Sequence, residues 1–455
     1  MSTSRALHPI RPRRLSAALA AGATLALGLS ACANPLAGAG DLEDSVLRSD
    51  AAFAPASLDQ ASAVPDVVDA TMDLGLVALT THAASAPGEN QVLSPASILV
   101  AMSMVGEGAS GATAAQIDTT LGAGGQDRTD AVGALSHALA DFAGDPAVVQ
   151  DEDLPERPVV HLANGVTVHE DFAVEQPYLD TLAQSYDAGV YTADLTGPEG
   201  KAVLDEWVRT NTGGLIEESA IEPNGDLRLV LQNAVLLAAQ WDSPFEESST
   251  RDAPFTTGAG AGATADIPTM HQTLTAAYTE VDGHQAVRLP YTEGFAMDVV
   301  LPAQGTGPAE IDAATWEALT ADLGVPSATD PAAEAPHHEV DLALPKVDVA
   351  TDLDLTDPLI AAGITDAFDS ELADFSGMST TEDLVIGQAQ HQAVLTIDEE
   401  GTVAAAVTEI AMEVSAAPPD DPVEMTVDRP FLIRIVHTDT GWPLFLGAIH
   451  DPTAG

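Results

Sequence analysis

Three groups of residues have types and spacing that could do chemistry. Cys32 is the only cysteine among 455 residues. A lone thiol closes no intrachain disulfide, builds no thiolate metal cluster and forms no paired-thiol redox centre. His337, His338 and Glu339 offer the imidazole and carboxylate donors that zinc takes. Adjacent side chains diverge on a strand, and no further ligand cluster is visible in the sequence. The triplet therefore reads as a solvated loop or the start of a strand, and no metal is expected. Gly106, Glu107, Gly108, Ala109, Ser110 and Gly111 formally fit the glycine fingerprint that cradles a dinucleotide phosphate. That chemistry needs a strand before the glycines and a helix after them. Here the glycines close an apolar helix, so they read as a C-terminal cap and turn. No cofactor is expected.

Charge excludes further classes. Lys+Arg number 15 against Asp+Glu 70, for a formal net charge of -55. The chain has two lysines, Lys201 and Lys346. Neutralising a nucleic-acid backbone needs clustered cations, so nucleic acid is not expected as a partner. Electrostatic docking on anionic lipid is excluded for the same reason. Such a surface favours solubility and repels acidic partners.

The N-terminus reads as an address. Arg11, Arg13 and Arg14 precede an uncharged apolar run over residues 15–31. The run is short for a membrane span of about 20 residues and has the form of a secretory signal. It ends in Leu29, Ser30, Ala31 and Cys32, which resembles the bacterial lipobox. The resemblance implies removal of residues 1–31 and lipidation of Cys32, where two or more acyl chains suffice for stable anchoring. The expected location is the extracellular face of the cell membrane, lipid-anchored, with ordinary secretion as the alternative. Residues 32–65, rich in Ala, Gly, Ser and Asp, read as a flexible tether.

The elements that must position any site begin after that. Val67, Met72, Leu74, Val77 and Leu79 form one apolar helical face over residues 66–84. Residues 97–105 are nearly all apolar and read as a helix buried on most sides. Residues 178–186 and 199–209 suggest further helices, with another around Trp316. Residues 161–168, 227–240 and 295–301 read as strands, and Val340, Leu342 and Leu344 alternate with polar or small residues. Residues 431–437 and 444–449 flank Thr438, Asp439, Thr440 and Gly441, a hairpin signature. Helices early and strands late indicate an α+β fold. Residues 66–455 are expected to form one domain.

Motifs spread over that domain carry a second resemblance. Asn90 to Ile98 include Leu93, Ser94, Pro95, Ala96 and Ser97. Leu231, Gln232, Asn233 and Ala234 precede Trp241, Asp242, Ser243, Pro244 and Phe245. Leu344, Pro345 and Lys346, then Asp374, Phe375, Ser376, Gly377 and Met378, then Asp428, Arg429, Pro430 and Phe431 continue in order. With the segment from His391 to Gly401, these resemble the serpin family over residues 67–452. The resemblance implies three β-sheets, about nine helices and an exposed reactive-centre loop on a metastable monomer. It implies that a protease cuts the loop, which then inserts into the central sheet with the acylated protease attached. It assigns Glu399, Glu400, Gly401, Thr402, Val403, Ala404, Ala405 and Ala406 to the loop hinge. Val403 stands where the family has an acidic residue, and residues 418–427 form a longer stretch than usual. Ser94, Ser97, Asn233 and His391 match a polar cluster beneath the central sheet, and Trp241 the place where the loop first enters. A serine and a histidine invite an acyl-transfer reading, but no acid is placed to complete a triad. A buried hydrogen-bond network is expected instead, in a chain that is not an enzyme.

The residues also bear on whether this loop could insert. A central strand needs side chains that alternate between a buried and a wet face. One face reads Thr402, Ala404, Ala406, Thr408, Ile410, Met412 and holds no charge. The other reads Val403, Ala405, Val407, Glu409, Ala411, Glu413 and carries both acids. No proline interrupts residues 401–417, so every ladder donor is available. Counting from Glu399 and Glu400 puts the reactive bond at Ser415 and Ala416, with Met412 and Val414 as alternatives for the specificity residue. Between Glu400 and Asp428 there is no Lys or Arg. A trypsin-like pocket therefore has no anchor, and an elastase-like or subtilisin-like serine protease suits the small and aliphatic residues. The alternative is a non-inhibitory serpin-fold surface binding lipoprotein.

Overall fold

The structure is a computed structural model. It describes Val46–Leu47 and residues 51–151, 153–258, 263–321, 323–324, 337–402 and 422–453. Along the chain run β1 (Val46–Leu47), α1 (Val64–Ser85), β2 (Gln91–Leu93), α2 (Pro95–Gly108), α3 (Gly111–Thr120), α4 (Gln126–Ala138), β3 (Val159–His169), α5 (Gln176–Tyr186), β4 (Gly189–Ala193), α6 (Pro198–Asn211) and β5 (Leu229–Gln240). Then follow β6 (Arg251–Thr256), β7 (Thr264–Val281), β8 (His284–Pro290), β9 (Phe295–Leu301), α7 (Ala313–Ala321), β10 (His337–Pro345), β11 (Val347–Asp354) and α8 (Thr356–Ala361). The last are β12 (Gln390–Ile397), β13 (Gly401–Thr402), β14 (Val423–Thr426), β15 (Phe431–His437) and β16 (Trp442–Ile449).

The strands make a seven-stranded sheet, in the order β1-β4-β3-β5-β13-β12-β11, and a nine-stranded one, β14-β10-β7-β8-β9-β15-β16-β2, with β6 beside β7. Among the described residues two sheets stand where three were expected, because β7 belongs to both halves of the larger one. Its first part pairs with β6 and β10, and its last five residues, from Ala277 to Val281, pair with β8. Eight α-helices are present among the described residues, alongside short 3₁₀ turns such as Pro146–Gln150. The α+β class stands. None of these helices is long and apolar enough to cross a membrane.

Local chemistry explains the elements nearest the sheet. α2 starts with Pro95 at its first turn, and the Ser94 side chain accepts a hydrogen bond from Ser97 N. It packs against β5 of one sheet and β16 of the other, which is why its residues are buried nearly all round. The glycine run ends this helix as a turn and not as a phosphate loop. A Cβ at Gly108 would lie 2.1 Å from Met378 Cγ, so glycine there serves packing. His337 and His338 open strand β10, as their alternative reading had it. Part of the segment read as a tether carries structure: Val46 and Leu47 pair with Tyr191 and Val190 on β4, and Ala54 N donates to Gln184 O at 2.9 Å.

Candidate functional site

β5 and β12 flank an interruption in the seven-stranded sheet. Among the described residues they are joined only through the two residues of β13. Gly401 pairs with Gln240, and Thr402 pairs with Ala239 on β5 and with Ile397 on β12. Thr402 lines one cavity of about 120 Å³ together with Asn233 and Leu236 of β5, His391 and Ala393 of β12, and Ser94 and Ser97 of α2. Along β12 the buried side chains alternate as His391, Ala393, Leu395 and Ile397, which is the period of a strand with one face on the core.

A tight turn sends the chain back into this slot. Asp398 N donates to Gly401 O at 3.1 Å. The Asp398 carboxylate accepts from Glu400 N at 3.0 Å and Gly401 N at 3.3 Å, so the side chain satisfies the turn's own donors. Gly401 is required by contact: a Cβ would lie 2.0 Å from Ala239 O. Trp241 frames the same turn. Its N donates to Glu400 O at 2.7 Å and its Nε1 to Asp398 O at 3.0 Å. The indole stacks on Tyr291 with ring centroids 4.4 Å apart, and Tyr291 Oη bonds Thr402 Oγ1.

Glu399 anchors the base of the hinge. Lys346 Nζ donates to Glu399 Oε2 and Thr250 Oγ1 to Glu399 Oε1, each at 2.6 Å. Phe245 N donates to Glu399 O at 2.8 Å. Burial alone would raise the carboxyl, but hydrogen bonds from Lys346 and Thr250 outweigh it and hold it below the usual range. The Thr250 bond to the buried carboxylate is worth about 2 kcal/mol, whereas Lys346 is 40% exposed and its pairing adds little. Glu399→Ala is accordingly expected to lower the stability of the intact form by about 2 kcal/mol in denaturant titration. A change within about 0.5 kcal/mol would mean that the anchor is idle.

The polar cluster expected beneath the sheet forms in part. Ser94 N donates to His391 Nε2 at 2.9 Å and Ser94 Oγ accepts from Ser97 N at 3.1 Å. Asn233 shares the cavity but not this chain of bonds: its Nδ2 donates to Asn164 Oδ1 at 2.5 Å, and its Oδ1 is buried without a partner. The arrangement does not suit acyl transfer. His391 uses Nε2 to accept from a backbone N–H, and the Ser94 hydroxyl caps a helix, so neither activates the other. Burial pulls the His391 pKa down to about 4. The unfolded chain takes up this proton near pH 6.5 and the folded chain only near 4, so unfolding is favoured by protons between them. This contribution to stability is complete above about pH 6.5 and is lost as pH falls toward 4, by about 3 kcal/mol in all. His391→Gln is expected to flatten the pH dependence of the unfolding midpoint across that window. An unchanged slope would contradict the neutral, accepting imidazole.

Of the sequence-predicted hinge, Glu399, Glu400, Gly401 and Thr402 are described and meet at this turn. Val403, Ala404, Ala405, Ala406, Met412, Val414, Ser415, Ala416 and Cys32 lie outside the described residues. Sequence reading missed Asp398, Tyr291, Thr250, Asn164 and Lys346 as parts of the site. Lys346 carried a signal, being one of only two lysines and lying inside a motif. Tyr291 carried none, because it reaches the hinge across more than a hundred residues of chain.

Comparisons with known proteins bear on the arrangement. A family model described as serpin (serine protease inhibitor) matches residues 69–452. An uncharacterised serpin-like protein of Thermococcus kodakarensis is 30% identical over 372 residues, covering 80% of this chain and 82% of its own. Iripin-8 of Ixodes ricinus is 30% identical over 369 residues, covering 79% of this chain and 88% of its own. The native-state crystal structure of tengpin, a thermophilic serpin, has a TM-score of 0.73 at 21% identity, covering 90% of this chain and 100% of that one. A two-residue strand held between β5 and β12 thus sits in a chain matched over nearly all its folded length, and the chain belongs to the serpin family, described as serine protease inhibitors.

Proposed function

We propose that the chain is an inhibitory serpin that traps an elastase-like or subtilisin-like serine protease as a suicide substrate. The protease serine attacks the carbonyl of Ser415, the bond to Ala416 breaks, and the new amine of Ala416 takes the proton. The acyl-enzyme ester remains on Ser415, or on Met412 or Val414 if the register differs. Residues from Val403 onward then follow Thr402 into the central sheet. The observation that carries this reading is β13 itself: Gly401 and Thr402 already occupy strand positions between β5 and β12. Ala404 and Ala406, which alternate with Thr402 in the sequence, are small and uncharged, so continuing the strand would bury no unpaired charge.

The target serine protease is met outside the cell. Cys32 lipidation holds the inhibitor at the outer face of the membrane, with residues 1–31 removed, and the chain acts as a monomer. The test is to incubate the full chain with elastase-like and subtilisin-like proteases and run denaturing gels with mass spectrometry. A denaturant-resistant complex with one cut within residues 410–417 is expected. Clean loop cleavage without complex across the panel, together with no gain in thermal stability of the cleaved product, would favour the non-inhibitory surface-binding reading.

A further inference from the structure

Asparagine is followed by glycine twice in the chain, at Asn164–Gly165 and Asn224–Gly225. Such a pair can react with itself. The glycine nitrogen attacks the neighbouring side-chain carbonyl, and glycine has no side chain to obstruct the approach. The fold puts the two pairs in opposite circumstances.

Asn164 and Gly165 lie in β3, opposite Asn233 and Gln232 of β5, with Gly189 of β4 on the other side of Gly165. Other elements engage the Asn164 amide: Nδ2 donates to Tyr186 O at 2.7 Å, and Oδ1 accepts from Asn233 Nδ2 at 2.5 Å. Gly165 is buried, and a Cβ there would lie 2.5 Å from Trp207 Nε1. An extended, covered strand of this kind keeps the side chain off the next nitrogen and keeps water out.

Asn224 and Gly225 sit on the exposed turn that leads into β5, and a Cβ on Gly225 would meet nothing within 4 Å. Asn224 Oδ1 accepts from Asp226 N at 3.0 Å, which folds the carboxamide over the intervening Gly225 nitrogen. The same N–H is aimed at the oxygen that gains charge when that nitrogen adds to Cγ. Asn224 O accepts from Leu227 N at 3.2 Å, so the peptide nitrogen gives up its proton more readily. The Arg228 guanidinium, which also pairs with Glu382, donates to Gly225 O at 2.9 Å and brings a cation close to that peptide. The nitrogen that must leave, Nδ2, makes one long contact among the described residues, to Glu222 O at 3.4 Å.

We propose that Asn224 is a self-modification site, where the folded turn promotes conversion of asparagine to aspartate and isoaspartate without an enzyme. Gly225 N loses its proton to water and bonds to Asn224 Cγ. The Cγ–Nδ2 bond breaks, and Nδ2 takes a proton from water and leaves as ammonia. Water then opens the cyclic imide: attack at Cγ restores the ordinary backbone as aspartate, and attack at the backbone carbonyl gives isoaspartate. Either product adds a carboxylate between Glu222 and Asp226, and isoaspartate also lengthens the backbone just before β5. The proposal is independent of the inhibitory reading.

The test incubates the full chain in mildly alkaline native buffer and maps its peptides by mass spectrometry over time. Asn224 is expected to convert at least about tenfold faster than Asn164 in the same molecules, a difference that a near-attack geometry supplies. Hydroxylamine added to the native chain should trap the imide and cut after Asn224 but not after Asn164. Asp226→Pro removes the N–H donor and should slow conversion by about tenfold, whereas Asp226→Ala keeps that donor and should convert near the parental rate. Conversion of Asn224 no faster than that of Asn164 would overturn the site. Equal rates in the proline and alanine variants would overturn the part assigned to the turn.

Discussion

Replacing Thr402 with arginine is expected to abolish the protease complex while leaving loop cleavage intact. Thr402 is 2% exposed, lies between Ala239 and Ile397, and bonds Tyr291 Oη beneath the Trp241–Tyr291 stack. None of the groups named there is an acid, so a guanidinium placed among them would be buried without a partner. Its cost, several kcal/mol and on the order of 4, turns position 402 out of the sheet in the intact form, and insertion must then overcome it. Each 1.36 kcal/mol on the barrier is about a factor of ten in rate, so insertion slows by about a thousandfold. Hydrolysis of the acyl-enzyme then wins, and the chain becomes an ordinary substrate. The fraction of protease in denaturant-resistant complex should fall to nothing for Thr402→Arg and stay near parental for Thr402→Ser, which keeps the hydroxyl. Undiminished complex with arginine at 402 would mean that this position does not lead the inserting strand.

The largest effect on stability is expected at Asp298, in the other sheet. Strand β9 lies between β8 and β15, and Asp298 is directly opposite Arg288 on one side and Arg434 on the other. It accepts from Arg288 at 2.7 and 2.9 Å and from Arg434 at 3.0 and 2.6 Å, with no solvent exposure. Burial opposes its ionisation, yet the two guanidiniums hold the carboxyl below the usual range. Burial pulls the Arg434 guanidinium down, and its charge also lies 5.3 Å over the Trp316 ring. Asp298→Ala leaves both cations buried without their carboxylate and is expected to cost about 4 kcal/mol. Replacing all three residues by apolar ones of similar volume should recover most of that loss, because the triad's desolvation is removed with it. Denaturant midpoints of the single and triple variants decide the matter. A single variant within about 1 kcal/mol of the parent would show that the triad is not a closed unit.

These two sites mark what was legible in the sequence. Two of the three strands that carry the triad were read at their true limits, Phe295–Leu301 and Phe431–His437, because both are mostly apolar. A single charge inside each run, Asp298 and Arg434, was a readable signal that something must pair there. Its partner Arg288 sits on β8, in a stretch of the sequence with no clean alternation. Helices α3 and α4 escaped for a related reason: Gly111–Thr120 and Gln126–Ala138 are rich in Ala, Thr and Asp and show too few apolar positions for a 3.6-residue period. The 18-residue β7 changes partners along its length, so it has no single inward face to reveal.

At the site itself, Gly401 and Thr402 were legible only through family resemblance and the alternation of the residues after them. A two-residue strand has no periodicity of its own. Ser94, Ser97 and His391 were named together and do meet, whereas Asn233 was named with them and bonds Asn164 instead. The reason is register: Asn164 and Asn233 are directly paired across β3 and β5, which places their amides side by side.

The measurement that bears most directly on the central claim is the thermal melt of the full chain before and after a single cut within residues 410–417. Insertion of the cut loop between β5 and β12 adds a central strand to the sheet, and the cleaved form should melt more than about 10 °C above the intact one. A cleaved form that melts at or below the intact temperature would contradict loop insertion, and the inhibitory mechanism would fall with it.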